Sequence, residues 1–327
     1  MNFRTLGRTG FKISEISLGT WQVGGKWGAP FDHNNADKIL NTAVDNGINF
    51  IDTADVYGDG ESEKAVGRLV RSRPEKIYVA SKCGRKISPH INENYTPAVL
   101  RSHVEASLKN MGLERLDLIQ LHCPPTPVFY RPEIFAEFEK MITEGKIHKL
   151  GVSVEKVEEA LKAIEYDHVD TVQIIFNMFR QRPAELFFEQ ARKKNIGIIV
   201  RVPLASGLLT GKYSRSTTFL EGDHRTFNRD GAAFDKGETF SGVDYELGLE
   251  MVDQLKQVFP GEDLAQIAIR WVLMFPEVSC VIPGASRPDQ VITNLQAAEL
   301  PALSDGQMTT VQNIYRENIK KHVHHLW

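Results

Sequence analysis

The sequence predicts an α/β protein built as a closed (β/α)8 barrel, and two features of the 327-residue chain support this. Eight short apolar runs follow one another at intervals of roughly 25–40 residues in most cases, the length of one strand–helix–strand unit. Segments of helical periodicity lie between the runs, so strands and helices alternate. A doubly wound open sheet is the competing architecture, but a single regular series of eight units favours closure.

The eight runs are nearly continuous in apolar residues instead of alternating with polar ones. This is typical of parallel strands that are buried on both faces. The predicted strands cover residues 15–19, 48–52, 77–81, 116–122, 149–153, 171–176, 196–202 and 279–284.

Helices are predicted between the strands because apolar residues recur three and four positions apart. The clearest examples are residues 34–46, 97–111, 131–143 and 154–165. Pro97, Pro183 and Pro288 each indicate a helix start, since proline is favoured in the first turn.

Three segments extend this pattern within what we expect to be a single domain over residues 1–327. Residues 1–14 predict a β-hairpin that covers the bottom of the barrel. Residues 213–242 form a long connection, and loops of this length are usually functional or mobile. Residues 304–321 predict an extra C-terminal helix.

Composition favours a globular enzyme, with 42% hydrophobic and 25% charged residues. The net charge of −3 gives no electrostatic reason to expect a nucleic acid or an acidic membrane as partner. No apolar stretch approaches the roughly 20 residues that span a bilayer. The three cysteines are widely separated and no secretion signal is visible, so we expect a cytoplasmic protein.

Four polar residues follow or end neighbouring predicted strands, at the end of a (β/α)8 barrel where active sites lie. Asp52 ends the second strand and Tyr57 lies in the next loop; Lys82 follows the third strand and His122 ends the fourth. Tyrosine has a pKa near 10, and a nearby ammonium group lowers it. A carboxylate can hold that ammonium group by a charge-assisted hydrogen bond. These four residues are the catalytic candidates.

The stretches "NFIDTADVYG", "ASKCG" and "LIQLHCPP" carry these residues, and in order and type they resemble the signature of the aldo-keto reductases. "LGTW", "GVS", "VQ" and "IPGA" extend the resemblance over nearly the whole chain. "PLASGLLTGKY" and "IPGASRPDQV" are most similar to the bacterial and potassium-channel-beta-subunit-like branch of that family.

The resemblance implies NADPH-dependent reduction of a small aldehyde or ketone. Tyr57 would give the proton, Lys82 and Asp52 would set its acidity, and His122 would orient the carbonyl. No metal, nucleic-acid or membrane partner is implied, and the chain could be a monomer or a homo-oligomer. Two other functions stay open: NAD(P)-linked oxidation of an alcohol or sugar, and a redox-sensing regulatory subunit with slow turnover.

The resemblance also assigns cofactor positions. Ser153 and Gln173 match residues that bind the carboxamide, while Val154 stands where the family usually has asparagine. Arg201 matches the residue that stacks on the nicotinamide, and Arg287 could bind a 2′-phosphate, which favours NADP over NAD. The other positions assigned to the cofactor are Gly19, Thr20, Trp21, Asp52, Pro203, Leu204, Ser206, Gly207, Leu208, Lys212, Gly284, Ser286, Gln290 and Asn294.

The predicted substrate pocket combines Tyr57 and His122 with Trp21 and Trp27, although ordinary rim packing is the alternative for the tryptophans. We expect Asp55 in an exposed turn or a helix cap. "HVHH" at 322–325 is interpreted as a solvated tail and not as a metal site.

Cys83 and Cys123 directly follow Lys82 and His122. A redox role is conceivable for these thiols, but the sequence favours buried packing.

Overall fold

A computed structural model of the chain describes residues 1–25 and 30–327. Trp27, one of the predicted substrate-pocket residues, lies outside the described residues. The chain opens with the predicted hairpin, in which β1 (Phe3–Thr5) pairs antiparallel with β2 (Lys12–Ser14).

The predicted barrel is confirmed. In the described residues, eight parallel strands pair in chain order within one sheet. Parallel bridges from Ile16 to Val281 and from Gly19 to Gly284 join its two edges, so the barrel closes. The strands are β3 (Leu18–Gly19), β4 (Phe50–Asp52), β5 (Tyr78–Cys83), β6 (Leu116–His122), β7 (Ile147–Ser153), β8 (Val169–Ile175), β9 (Gly197–Arg201) and β10 (Val278–Val281).

Helices surround the strands, as the apolar periodicity predicted. They are α1 (His33–Asp45), α2 (Glu61–Ser72), α3 (Pro97–Met111), α4 (Pro132–Thr143), α5 (Val157–Ala163), α6 (Phe187–Lys193), α7 (His224–Phe227), α8 (Tyr245–Val258), α9 (Leu264–Leu273), α10 (Pro288–Gln296), α11 (Asp305–Ile314) and α12 (Lys320–Val323), with a π-helical turn at Tyr315–Ile319.

Two helix starts differ from the prediction. α5 begins at Val157 and not at 154, because the Glu159 carboxylate accepts hydrogen bonds from the backbone N–H groups of Glu155 and Lys156, both at 3.0 Å. Pro183 lies in a short 3-10 turn (Arg182–Ala184), and α6 starts at Phe187. The starts at Pro97 and Pro288 are confirmed.

The hairpin closes the bottom of the barrel. Leu6, Phe11 and Ile13 are buried and belong to one apolar cluster with strand residues that include Phe50 and Leu118. At the other end, adjacent strands align their final residues: Gly19 pairs with Asp52, and His122 pairs with Ser153.

The expectation of a solvated tail at 322–325 is only partly right: His322 and His325 are exposed, but Val323 is buried and His324 packs against the protein. His324 Nδ1 lies 2.9 Å from Tyr315 Oη, and its Nε2 lies 3.0 Å from a Glu185 oxygen. The Trp327 indole is buried, and its Nε1 donates to Asp235 at 2.7 Å. Through this contact with Asp235, the C-terminal segment packs against the long loop at 213–242.

Within the described ranges, no helix combines the length and the apolarity needed to cross a membrane.

Candidate active site

Asp52 and Lys82 form a buried ion pair at the ends of β4 and β5. Lys82 Nζ donates to Asp52 Oδ1, and to the backbone oxygen of Thr53 at 2.8 Å. The same Nζ lies 3.4 Å from Tyr57 Oη. An ammonium group has three donors, and here all three have protein partners.

The second Asp52 oxygen is held by two glutamines. Gln120 Nε2 and Gln173 Nε2 each donate to Asp52 Oδ2 at 2.8 Å, and Gln173 also donates to Gln120 Oε1 at 3.1 Å. Gln173 is a predicted carboxamide contact, but here its amide serves Asp52. Gln120 was missed, although a glutamine inside the apolar run of β6 signals a buried polar partner.

Tyr57 is half-buried, and its pKa lies above its ordinary value because burial outweighs the attraction of Lys82. The expectation that Lys82 lowers the net pKa of Tyr57 is therefore wrong for this structure: Lys82 only reduces the increase. At neutral pH the phenol carries its proton.

His122 faces Tyr57, with ring centroids 6.1 Å apart and the planes at 84°. Burial, followed by the charges of Lys82, Arg85 and Arg201, holds the pKa of His122 well below its usual range. Its Nδ1 is buried without a hydrogen-bond partner in the described part of the chain. His122 is thus a neutral imidazole that can donate or accept one hydrogen bond.

Of these side chains, Asp52, Tyr57, His122 and Gln173 line a cavity of about 690 Å³ at the C-terminal end of the barrel, a volume in the range of small-molecule sites. Ser153 and Leu208 are buried outside its lining. Sixteen predicted cofactor positions do line it, namely Gly19, Thr20, Trp21, Asp52, Gln173, Arg201, Pro203, Leu204, Ser206, Gly207, Lys212, Gly284, Ser286, Arg287, Gln290 and Asn294.

The long loop at 213–242 forms one wall of the cavity. His224 and Phe234 line it, and the His224 ring lies 5.0 Å from that of Trp21. Gly207, at the start of this connection, has φ of +98°, and an added Cβ would lie 2.3 Å from Tyr213 Oη. Only glycine fits there, so the backbone itself forms that part of the wall.

Arg201 ends β9 inside a group of charges that sequence reasoning missed. Its Nη2 lies 2.9 Å from a Glu155 oxygen and 3.1 Å from the backbone oxygen of Val154, and its Nη1 lies 3.8 Å from Glu238. Arg85 Nη2 lies 3.2 Å from Glu238. A buried arginine in place of an aromatic residue needs anions nearby, and that requirement was the available signal.

Asp55 was expected in an exposed turn or a cap, and this is wrong. Only 4% of Asp55 is exposed, and its Oδ2 lies 3.3 Å from His103 Nδ1. His103 lies on α3, so the loop that carries Asp55 and Tyr57 packs against a neighbouring helix. The two atoms approach each other without a hydrogen bond in the described part of the chain.

The cysteines are buried and free, as the packing interpretation predicted. Burial raises the pKa of Cys123 and of Cys83 well above that of an ordinary thiol. Potential ligand atoms of Cys123, Glu155 and Glu238 lie within 4.8 Å of one another, but Arg85 and Arg201 adjoin the group and oppose a cation there.

At the far end of the cavity, Arg287 is exposed and pairs with Asp289 at 3.1 Å. Gln290 Oε1 accepts from Ser286 N at 2.7 Å, and Asn294 Nδ2 donates to the Gly284 backbone oxygen at 3.4 Å. The predicted positions around the start of α10 are thus brought together.

Comparison with known proteins identifies the family of the chain and agrees with its fold. Residues 15–316 match the model of the Aldo/keto reductase family. The chain is 28% identical to an Escherichia coli NADH-specific methylglyoxal reductase, over 94% of this chain and 97% of that protein. It is also 28% identical to an Arabidopsis thaliana protein named "Probable voltage-gated potassium channel subunit beta", over 98% of each.

Among solved structures, the glycerol dehydrogenase from Gluconobacter oxydans superposes with a TM-score of 0.77 and 31% identity, over 98% of this chain and 96% of that one. Family and fold therefore agree with the (β/α)8 barrel. The chain belongs to the aldo/keto reductase family, whose members are oxidoreductases that act on carbonyl and alcohol groups with a nicotinamide cofactor.

Proposed function

We propose that this protein reduces an aldehyde or ketone with NADPH and that Tyr57 donates the proton. The supporting observation is the position of Lys82 Nζ, bonded to Asp52 and 3.4 Å from Tyr57 Oη, beside the neutral His122. In this proposal Tyr57 is the proton donor, Lys82 is the cation that stabilises the resulting phenolate, and His122 is the neutral group that orients the carbonyl. They lie together at one end of the cavity.

The nicotinamide, when bound, supplies the hydride that the side chains cannot provide. Tyr57 Oη gives its proton to the carbonyl oxygen, and the Lys82 ammonium stabilises the phenolate left behind. Burial alone would lower the pKa of Lys82, but Asp52 and Tyr57 more than offset this and raise it. Lys82 therefore keeps its charge throughout.

Asp52 and His122 position these groups. Asp52 holds Lys82 with one oxygen, while its other oxygen is fixed by Gln120 and Gln173. His122 offers a neutral ring nitrogen to the carbonyl oxygen, which orients the substrate without adding a proton that competes with Tyr57.

The cavity has features that fit a dinucleotide. Arg201 lines it, and the Nε of Arg201 is buried without a partner among the described residues. Gly207 has no side chain, so its backbone forms part of the cavity wall. The positive charges of Lys212 and Arg287 could bind phosphate groups. We assign Arg287 to a 2′-phosphate, which is the basis for preferring NADPH.

NAD-linked oxidation of an alcohol is the second candidate. Asp289 pairs with Arg287 and places a carboxylate where a 2′-phosphate would bind, which favours a cofactor without that phosphate. Two similar proteins support this candidate: the E. coli reductase is named as NADH-specific, and the Gluconobacter oxydans protein is named as a glycerol dehydrogenase.

A redox-sensing regulatory subunit is the third candidate, supported by the similarity to the protein named as a channel beta subunit. Tight cofactor binding with negligible steady-state turnover on a panel of aldehydes, ketoses and quinones would favour it.

Replacing Tyr57 with Phe tests the leading proposal. Turnover should fall nearly to zero because the proton donor is lost, while fluorescence titration with NADPH should give an unchanged Kd. Undiminished turnover would contradict the role assigned to Tyr57.

A further inference from the structure

Four charged side chains form a largely buried cluster in the cavity wall, here called the arginine–glutamate cluster: Arg85, Glu155, Arg201 and Glu238. Arg201 lies 2.9 Å from Glu155 and 3.8 Å from Glu238, and Arg85 lies 3.2 Å from Glu238 and 3.7 Å from Glu155. The side chains are 11–18% exposed. They come from three strand ends and the long loop.

The two carboxyl groups of the cluster lie close enough to repel each other when both are ionised. Their oxygens lie within 4.8 Å of each other, and two carboxylates at such a distance do not both ionise readily. Burial and the charge of Glu155 raise the pKa of Glu238 to about 7. Burial also acts to raise the pKa of Glu155, but Arg201, a hydrogen bond with Glu238, Arg85 and Arg180 together outweigh it and lower that pKa. With Glu238 protonated, two guanidinium groups face one carboxylate, and the net charge is positive.

Arg85, Arg201 and Glu238 line the cavity, whereas Glu155 lies behind them. Other titratable groups interact with the cluster but do not line the cavity. They are Arg180 after β8, Asp235 in the long loop, Glu159 in α5, Cys123 after β6 and His90 after β5.

Arg180 and Asp235 have opposite charges, and both contact Trp327. The Cys123 thiol and the His90 ring are neutral, because burial raises the pKa of the first and lowers that of the second. The positive charge that reaches the cavity is therefore that of Arg85 and Arg201.

This charge acts at the reacting end of the cavity. Arg85 and Arg201 both contribute to the low pKa of His122, after burial and Lys82. Arg201 also interacts electrostatically with Tyr57. A ring placed beside Tyr57 and His122 therefore experiences the charge of the cluster.

We propose that the arginine–glutamate cluster selects the reduced nicotinamide over the oxidised one. The oxidised ring is a cation and the reduced ring is neutral, so a buried positive charge repels only the first. The inference rests on the proposed function in one respect: the nicotinamide must lie at the Tyr57–His122 end. The protein would then take reduced cofactor from a mixed pool and release the oxidised form readily.

The test is the ratio of two dissociation constants, Kd for NADP⁺ over Kd for NADPH, measured by fluorescence titration and calorimetry. Arg201→Met should lower this ratio by about tenfold, because one charge is lost. Arg201→Lys, which keeps the charge, should preserve it. An equal ratio in the wild type and in Arg201→Met would overturn the inference.

If Arg201→Met does not fold, the pH dependence of the same ratio in the wild type provides a second test. Because Glu238 adds a negative charge when it ionises, the ratio should fall as pH rises. Glu238→Gln mimics the protonated form and should keep the ratio high at every pH. A ratio that does not change with pH in the wild type, or that changes equally in both proteins, would contradict the inference.

Arg287→Ala is the matched control, since the 2′-phosphate is the same in both cofactor forms. It should weaken NADPH and NADP⁺ by the same factor and leave the ratio unchanged. If the wild type binds neither form, nor NADH or NAD⁺, the proposed function fails together with the inference. If the wild type binds both NADPH and NADP⁺ and the ratio is the same in Arg201→Met, only the inference fails.

Discussion

Lys82 Nζ lies 3.4 Å from Tyr57 Oη while it donates to the Asp52 carboxylate, so a phenol and a carboxylate share one buried ammonium group. Lys82→Met should therefore lower turnover by about 10²–10⁴-fold, because the phenolate formed at Tyr57 loses its cation. The variant also leaves Asp52 as an unpaired buried charge, which should lower the free energy of unfolding by about 3–5 kcal/mol.

The double variant Asp52→Asn/Lys82→Met separates these two effects. It should recover part of the lost stability in chemical denaturation, because no unpaired charge remains, while turnover stays low. Recovery of turnover in the double variant would contradict the role of Lys82.

Gln120 and Gln173 offer a matched pair. Both donate to Asp52 Oδ2 at 2.8 Å, but of the two only Gln173 lines the cavity. Replacing either with Ala should lower the free energy of unfolding by about 1–3 kcal/mol, because a buried acceptor loses a donor. Gln173→Ala alone should also raise the Kd for NADPH; equal Kd changes in both variants would refute this distinction.

The pH dependence of the reaction should differ between its two directions. Because the pKa of Tyr57 is raised, the phenol stays protonated and kcat for reduction should stay level from neutral pH to about 10 and fall above. Alcohol oxidation needs the phenolate, so its kcat should rise with pH over the same range. His122 stays neutral, so no step near pH 6.5 is expected at saturating cofactor. A reductive kcat that falls below pH 9 would contradict this assignment.

Asp289 should weaken the proposed 2′-phosphate contact by occupying Arg287. Asp289→Ala should therefore lower the Kd for NADPH and leave that for NADH nearly unchanged, whereas Arg287→Ala should raise the Kd for NADPH selectively. Both side chains are exposed, so stability should not change. Equal effects on both cofactors would exclude a 2′-phosphate site here.

Gly67 marks a close contact between α2 and α3. A Cβ at this position would lie 2.2 Å from the backbone oxygen of Met111, so Gly67→Ala should lower the free energy of unfolding by about 1–3 kcal/mol. Gly306 in α11 is the control, since its added Cβ would meet only Ser304 Oγ, at 3.9 Å. Gly306→Ala should be neutral or slightly stabilising in thermal unfolding.

The barrel and the order of the candidate residues along its strands could be predicted from the sequence because both are local features. A continuous apolar run marks a buried strand, and a polar residue at its end marks the barrel mouth. Asp52, Lys82 and His122 follow that rule, and the structure places them on adjacent strands.

The surroundings of these residues could not be predicted in this way. Glu155 and Glu238 are 83 positions apart and meet only because the long loop folds back over the barrel. Asp55 is buried beside His103 of α3, and the direction of the Tyr57 pKa depends on how burial and Lys82 balance. These contacts, burial values and pKa shifts arise from tertiary packing, and no periodic pattern in the sequence indicates them.

Leu6, Phe11 and Ile13 close the lower end of the barrel, and this affects how ligands bind and leave. Because the hairpin fills the lower end, the upper opening has to serve for arrival and departure alike. A dinucleotide and a smaller molecule would then share one opening, so the one bound nearer to it would have to leave first. The hairpin, although far from the chemistry, would thereby help to determine the order in which molecules enter and leave.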